Sequence, residues 1–133
     1  MDGAPFQLSQ LRGKWVLVTL DSGRCDAYCD RKLIYMRQLR LTQGKDMERV
    51  ERVWLISDNT APPAAAVSDS QGTWLVRAAG SELLRQLPVQ SALADHIYIV
   101  DPLGNLVLRY PRDTDASRMR KDLERLLKVS RIG

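Results

Sequence analysis

Apolar residues along this chain follow two different periods. Trp15-Val-Leu-Val-Thr-Leu20 is a β-branched, apolar run with no clean alternation, the pattern of a strand buried on both faces. Val50, Val53, Trp54, Leu55 and Ile56 mark a second buried strand. Between the two, Cys29, Leu33, Met36 and Leu39 recur at helical spacing, which predicts a helix over about 27–43 with Gly44 as its stop. Thr60-Ala-Pro-Pro-Ala-Ala-Ala66 reads as a loop with a short helix after Pro63. A short strand over 73–76 follows, then a short helix over 82–87 that Ser81 caps and Pro88 ends. His96-Ile-Tyr-Ile-Val100 and Leu106-Val-Leu-Arg-Tyr110 read as a hairpin around Asp101-Pro-Leu-Gly-Asn105, with proline and glycine placed for a type I turn. A last helix starts on Asp115 or Thr114 and carries the stripe Met119, Leu123, Leu126 and Leu127.

That order predicts the fold class. A strand-helix-strand unit needs a parallel crossover, whereas a hairpin is antiparallel. The expected architecture is therefore α/β, a mixed central sheet flanked by helices. At 133 residues, with 44% apolar and 27% charged positions, the chain reads as a single domain over 1–133 that can bury a core without staples. No apolar run approaches the ~18 residues of a membrane span. Met1-Asp-Gly-Ala-Pro5 has neither the basic start nor the apolar stretch of a signal peptide. An anchor or export segment is expected upstream if there is one.

Charge changes the picture only at the end of the chain. The net charge is +4, and residues 109–133 hold eight Lys/Arg against four Asp/Glu, with twelve of each before them. A solvated helix face accounts for this, and the sharper alternatives are an acidic partner or an anionic membrane surface. Tyr110 is the one aromatic in that segment, too little stacking surface for a nucleic-acid site.

The chemistry concentrates in Asp21-Ser-Gly-Arg-Cys-Asp-Ala-Tyr-Cys-Asp30, which holds both cysteines of the chain. Cys25 and Cys29 fall at the carboxyl end of the first strand, where the first helix begins and its N–H groups lower a thiol pKa. Three readings stand: two small buried hydrophobes, a redox dithiol within disulfide reach across one helical turn, or a soft metal site. In the redox reading Cys25, nearer the loop, attacks and Cys29 resolves. Arg24 favours the Cys25 thiolate modestly, because exposed charge is screened. His96, the single histidine, reads either as a core or rim side chain or as a nitrogen donor. Trp15, Trp54, Trp74 and Met36 read as core packing. Ser22 fits the peroxiredoxin spacing before Cys25, but Val18 stands at its proline position.

Taken together, these segments resemble the Sco/SenC family of the thioredoxin superfamily. The likeness rests on the opening Leu8-Ser-Gln-Leu-Arg-Gly-Lys-Trp-Val-Leu17, on Cys25-x3-Cys29 at a helix start, and on Ile97-Tyr-Ile-Val-Asp-Pro-Leu-Gly-Asn-Leu106. It spans most of residues 6–128 and is weakest over 59–92. The resemblance implies a thioredoxin-like fold and a copper chaperone or thiol reductase that assists assembly of cytochrome c oxidase on the periplasmic side of a membrane, usually on an anchor. It implies copper ligands Cys25, Cys29 and His96, and as partner an oxidase subunit or another copper or thiol protein. The chain departs from the family pattern in three places. His96 stands three positions later than the family histidine, whose ungapped counterpart is Leu93; Asp26 and Asp30 replace the prolines after each cysteine; and Asp95 occupies the place of the cis-proline of thioredoxins. Two thiolates suffice for Cu(I), whereas Cu(II) needs harder donors, so Cu(I) is the expected ion. A thiol-disulfide oxidoreductase without copper and a non-catalytic adaptor of the same fold are the alternatives.

Overall fold

The computed structural model describes residues 11–77, 97–110 and 115–129. Within them the chain runs β1 (Trp15–Asp21), α1 (Ala27–Leu41), a 3-10 helix (Gly44–Arg49), β2 (Val50–Ile56), α2 (Ala64–Asp69), β3 (Trp74–Arg77), β4 (Ile97–Val100), β5 (Leu106–Tyr110) and α3 (Ala116–Val129). The five strands form one sheet in the order β3-β2-β1-β4-β5. β1 pairs parallel with β2, Trp15 opposite Val50 and Asp21 opposite Ile56, and antiparallel with β4. β2 and β3 are parallel, and β4 and β5 are antiparallel. The sheet is mixed, with the parallel and antiparallel pairs where the sequence places them.

β1 is the middle strand, and all seven of its residues are buried. Its side chains alternate between two cores. Val16, Val18 and Leu20 join Val53, Leu55, Val76, Tyr98 and Val100 on one side. Trp15 and Leu17 join Val50, Ile97, Ile99 and Tyr110 on the other, beneath Met36 and Leu39 of α1 and Met119, Leu123 and Leu127 of α3. A strand between two cores has no solvated face to make polar, which is why β1 reads as continuous apolar sequence.

The turns are chemically specified. Gly104 N–H donates to the Asp101 carbonyl at 2.9 Å, closing the predicted hairpin turn, and Asp101 Oδ1 also accepts from the Leu103 and Asn105 N–H groups. Asp115 starts α3: its carboxylate accepts from the Ser117 N–H at 3.0 Å; Thr114 lies outside the described residues. Two expectations are corrected. Gly44 does not simply stop α1, because α1 ends at Leu41 and Gly44, at φ +55, opens a 3-10 helix. Trp74 is not core: it lies on the edge strand β3, 49% exposed, with its indole N–H on Glu51 Oε2 at 3.4 Å. Trp15 and Trp54 are buried as expected. The helix expected over 82–87 lies outside the described residues.

Candidate functional site

β1 delivers the chain to the middle of the sheet's carboxyl edge, and the cysteine loop leaves from there. Asp26 caps α1 with its carboxylate, which accepts from the Cys29 N–H at 2.9 Å. A short acceptor just before a helix neutralises one of the donors that the first turn leaves unpaired. Cys29 therefore sits inside the first turn and Cys25 just ahead of the cap. The two are joined by a disulfide with Cα atoms 5.0 Å apart, inside the range such a bond accepts.

The two sulfurs face different surroundings. Cys29 is fully buried against Leu33, Trp54, Ile56 and Ala66, and Cys25 packs at the margin of that cluster, partly exposed. An incoming thiol meets Cys25 first. Cys25 also has left-handed backbone, φ +48, alone among the described non-glycine residues. That conformation costs an L-residue about 1–2 kcal/mol. Its N–H donates to the Ser22 carbonyl at 3.0 Å, closing a turn over 22–25.

Asp58, in the loop after β2, holds this turn from outside. Its Oδ2 accepts from the Ser22 hydroxyl at 2.5 Å, and its Oδ1 accepts from the N–H groups of Gly23 at 3.0 Å and Thr60 at 3.1 Å. Ser22 Oγ in turn accepts from the Arg24 N–H at 3.0 Å. The Ser22 hydroxyl first, then the Gly23 and Thr60 donors, bring the Asp58 pKa down to about 2 despite partial desolvation. Gly23 is the only residue type that fits, because a Cβ there would lie 1.9 Å from the Thr60 carbonyl oxygen.

Behind the turn lies a buried ion pair. Lys32, on α1 one turn beyond Cys29, is 1% exposed. Its Nζ lies 3.0 Å from Asp21 Oδ2, donates to the Leu20 carbonyl at 3.3 Å, and sits 5.1 Å over the Tyr28 ring. Asp21 also accepts from the Ser22 N–H at 2.8 Å. Between the helices, Asp30 faces Asp69 at the end of α2, and hydrogen bonding with that side chain, then burial, then its negative charge raise the Asp30 pKa.

Cys25 and Cys29 are thus brought together as the sequence predicts. His96, Asp95 and Leu93 lie outside the described residues. Among the described residues no three His, Cys, Asp or Glu side chains are grouped to hold a metal ion. Arg24 is exposed and Met36 is buried core. Of the five basic residues of α3, Arg118, Lys121, Arg125 and Lys128 are exposed and Arg120 is half-buried, while Met119, Leu123 and Leu127 are buried, a largely solvated helix face as the charge pattern suggests. Sequence reading missed Asp58, Asp21 and Lys32. Asp21 and Lys32 carried a signal, since each is a charged residue on an otherwise apolar face; Asp58 carried none.

A family model described as a transmembrane-like, thioredoxin-like, C-terminal domain matches residues 15–130. The chain belongs to that family. A sequence search of curated proteins finds no match for this thioredoxin-like domain. Its fold is similar to that of copper-bound yeast Sco1, with a TM-score of 0.73 and 17% identity over 90% of this chain and 82% of that one. It is also similar to a SCO1/SenC family lipoprotein from Bacillus anthracis, TM-score 0.67 and 18% identity, covering 94% of this chain and 88% of the lipoprotein. The thioredoxin domain of a Bacteroides vulgatus thiol-disulfide oxidoreductase matches with a TM-score of 0.65 and 18% identity, covering 96% and 89%. The Sco/SenC likeness read from the sequence is therefore borne out as a likeness of fold.

Proposed function

We propose that this thioredoxin-like domain is a Sco-like thiol protein whose Cys25–Cys29 pair exchanges disulfides and, when reduced, passes on Cu(I) during assembly of cytochrome c oxidase. The observation that carries the reading is the disulfide itself, one sulfur buried and the other partly exposed at the carboxyl end of the middle strand.

The exchange balances with the two cysteines alone. In the reduced protein the Cys25 thiolate attacks a disulfide of the partner protein, forming a mixed disulfide and releasing one partner thiolate. The Cys29 thiolate then attacks the Cys25 sulfur, closes the internal disulfide and releases the second. Two electrons pass to the partner. Cu(I) is cargo in this account, and two thiolates suit it because the ion is soft and accepts low coordination. His96 is the nitrogen donor proposed to add to them. The partner is an oxidase subunit or another copper or thiol protein. The domain works on the periplasmic side of a membrane; the transmembrane-like family description and the lipoprotein of similar fold support that placement. No described helix is itself long and apolar enough to cross a membrane.

The test is an anaerobic Cu(I) titration of the reduced chain against a competing chelator, with Cys25→Ser, Cys29→Ser and His96→Ala alongside. One Cu(I) per reduced chain, lost in either cysteine variant and absent from the disulfide form, supports the reading. A further loss in His96→Ala brings the histidine into the site. Wild-type protein that holds no Cu(I) yet reduces a disulfide substrate leaves the oxidoreductase alternative in its place.

A further inference from the structure

The cysteine loop is held from a segment that contributes nothing to the sulfur chemistry. Asp58 reaches it from the far side of the β1–β2 crossover, 35 residues away from Gly23 in sequence. One carboxylate takes up the Ser22 hydroxyl, the Gly23 N–H and the Thr60 N–H, so the loops after β1 and β2 are tied through a single side chain. Gly23 then packs its backbone directly on Thr60. The turn held this way, from Ser22 to Cys25, is the one that carries Cys25 in left-handed backbone.

We infer that Asp58 is a positioning residue that sets the redox equilibrium of the Cys25–Cys29 pair, acting through the backbone of the cysteine loop. The inference rests on the thiol-exchange reading above. When the disulfide opens, two electrons and two protons enter, supplied by an external dithiol, and the S–S bond is replaced by two S–H bonds. Nothing covalent then holds Cys25 at φ +48, and an unrestrained loop would relax away from that region. The Asp58 bonds keep the loop in place, so the thiols stay at disulfide separation and closing the bond orders little extra chain. Without Asp58 the dithiol gains freedom that the disulfide lacks, and the equilibrium moves toward the dithiol.

A bond network that only supported the fold would behave differently. It would destabilise oxidised and reduced protein equally when cut, leaving the equilibrium between them unchanged. The deciding experiment equilibrates wild type, Asp58→Ala, Asp58→Asn and Ser22→Ala with reduced and oxidised glutathione over a range of ratios. Acid quench, alkylation and intact mass then count the two forms. Asp58→Ala is expected to lower the equilibrium constant for disulfide formation about tenfold, a potential less reducing by about 30 mV for this two-electron couple. Asp58→Asn, which keeps an acceptor for Gly23, and Ser22→Ala, which removes one bond, should fall between it and wild type. Should Asp58→Ala not fold by circular dichroism, those two variants decide. All folded variants within twofold of wild type would overturn the role of Asp58. A wild type that forms no reversible internal disulfide would instead overturn the thiol-exchange reading itself.

Discussion

Removing the amine of Lys32 is the sharpest test of the packing behind the disulfide. In Lys32→Met the side chain keeps its length and apolar body, but Asp21 loses the ammonium 3.0 Å away. Its carboxylate then has the Ser22 N–H at 2.8 Å and little water, because Asp21 is 8% exposed. Breaking a buried pair by removing one partner costs about 3–5 kcal/mol, since the survivor is left uncompensated. The contact of the Lys32 ammonium with the Tyr28 ring is lost as well. Against a total stability of about 5–15 kcal/mol, that is a large share. With a urea slope of about 1.5 kcal/mol/M, the unfolding midpoint of the oxidised protein should fall by about 2–3 M. Asp21→Asn should also destabilise, because Lys32 is then the uncompensated charge. The double variant Asp21→Asn/Lys32→Met should recover most of the loss, since replacing both charges of a buried pair is often nearly neutral. The readout is urea denaturation of all four proteins by circular dichroism. A single variant within about 1 kcal/mol of wild type, with a coupling energy near zero in the cycle, would refute the argument that this pair is buried and mutually compensating.

Three further outcomes follow from the geometry. Gly23→Ala should cost at least about 2 kcal/mol, roughly 8 °C in Tm by calorimetry, because the clash is with a backbone carbonyl that cannot swing away. Acid titration of stability should separate the aspartates by sign. Asp58, lowered from 3.8 to about 2 in the fold, contributes stability that is lost as pH falls between those values, so Asp58→Asn should flatten that limb of a urea-midpoint profile. Asp30 is raised by the neighbouring Asp69, so its protonation stabilises at acid pH and the benefit disappears as pH rises; Asp69→Asn should leave neutral-pH stability unchanged or higher. Finally, Tyr110→Phe should lose about 1 kcal/mol, because the hydroxyl donates to Asp122 Oδ2 at 2.7 Å across β5 and α3.

What was legible in the sequence was whatever periodicity and turn chemistry encode locally. The two buried strands, the first helix, the hairpin turn and the α3 stripe all stand within a residue or two of their expected places, because each depends on neighbours in sequence. The cysteine pair was legible from its close spacing at a strand-to-helix junction, although only Cys29 stands on the helical turn and Cys25 precedes the Asp26 cap in left-handed backbone. Trp74 was misread because a large aromatic signals burial only on average, and an edge strand gives one face to solvent. The positive φ of Cys25 left no trace, since no glycine or asparagine marks it. Asp58 was invisible because its partners lie on the other side of a crossover, and no local pattern reports a contact of that range. Lys32 lies one helical turn after Cys29 on a buried face, a place where a charge needs a partner; that irregularity was readable, and its partner Asp21 ends the preceding strand.

The claim on which the rest depends is that Cys25 and Cys29 are a reversible pair within one chain. The most direct measurement is the intact mass of the denatured, alkylated protein after mild oxidation, and again after treatment with a dithiol. The account predicts a monomer that takes up no alkyl group and has lost two hydrogens, and that returns fully to a doubly alkylated dithiol on reduction. Dimers or mixed adducts with glutathione as the oxidised products, with no internally bonded monomer, would contradict it.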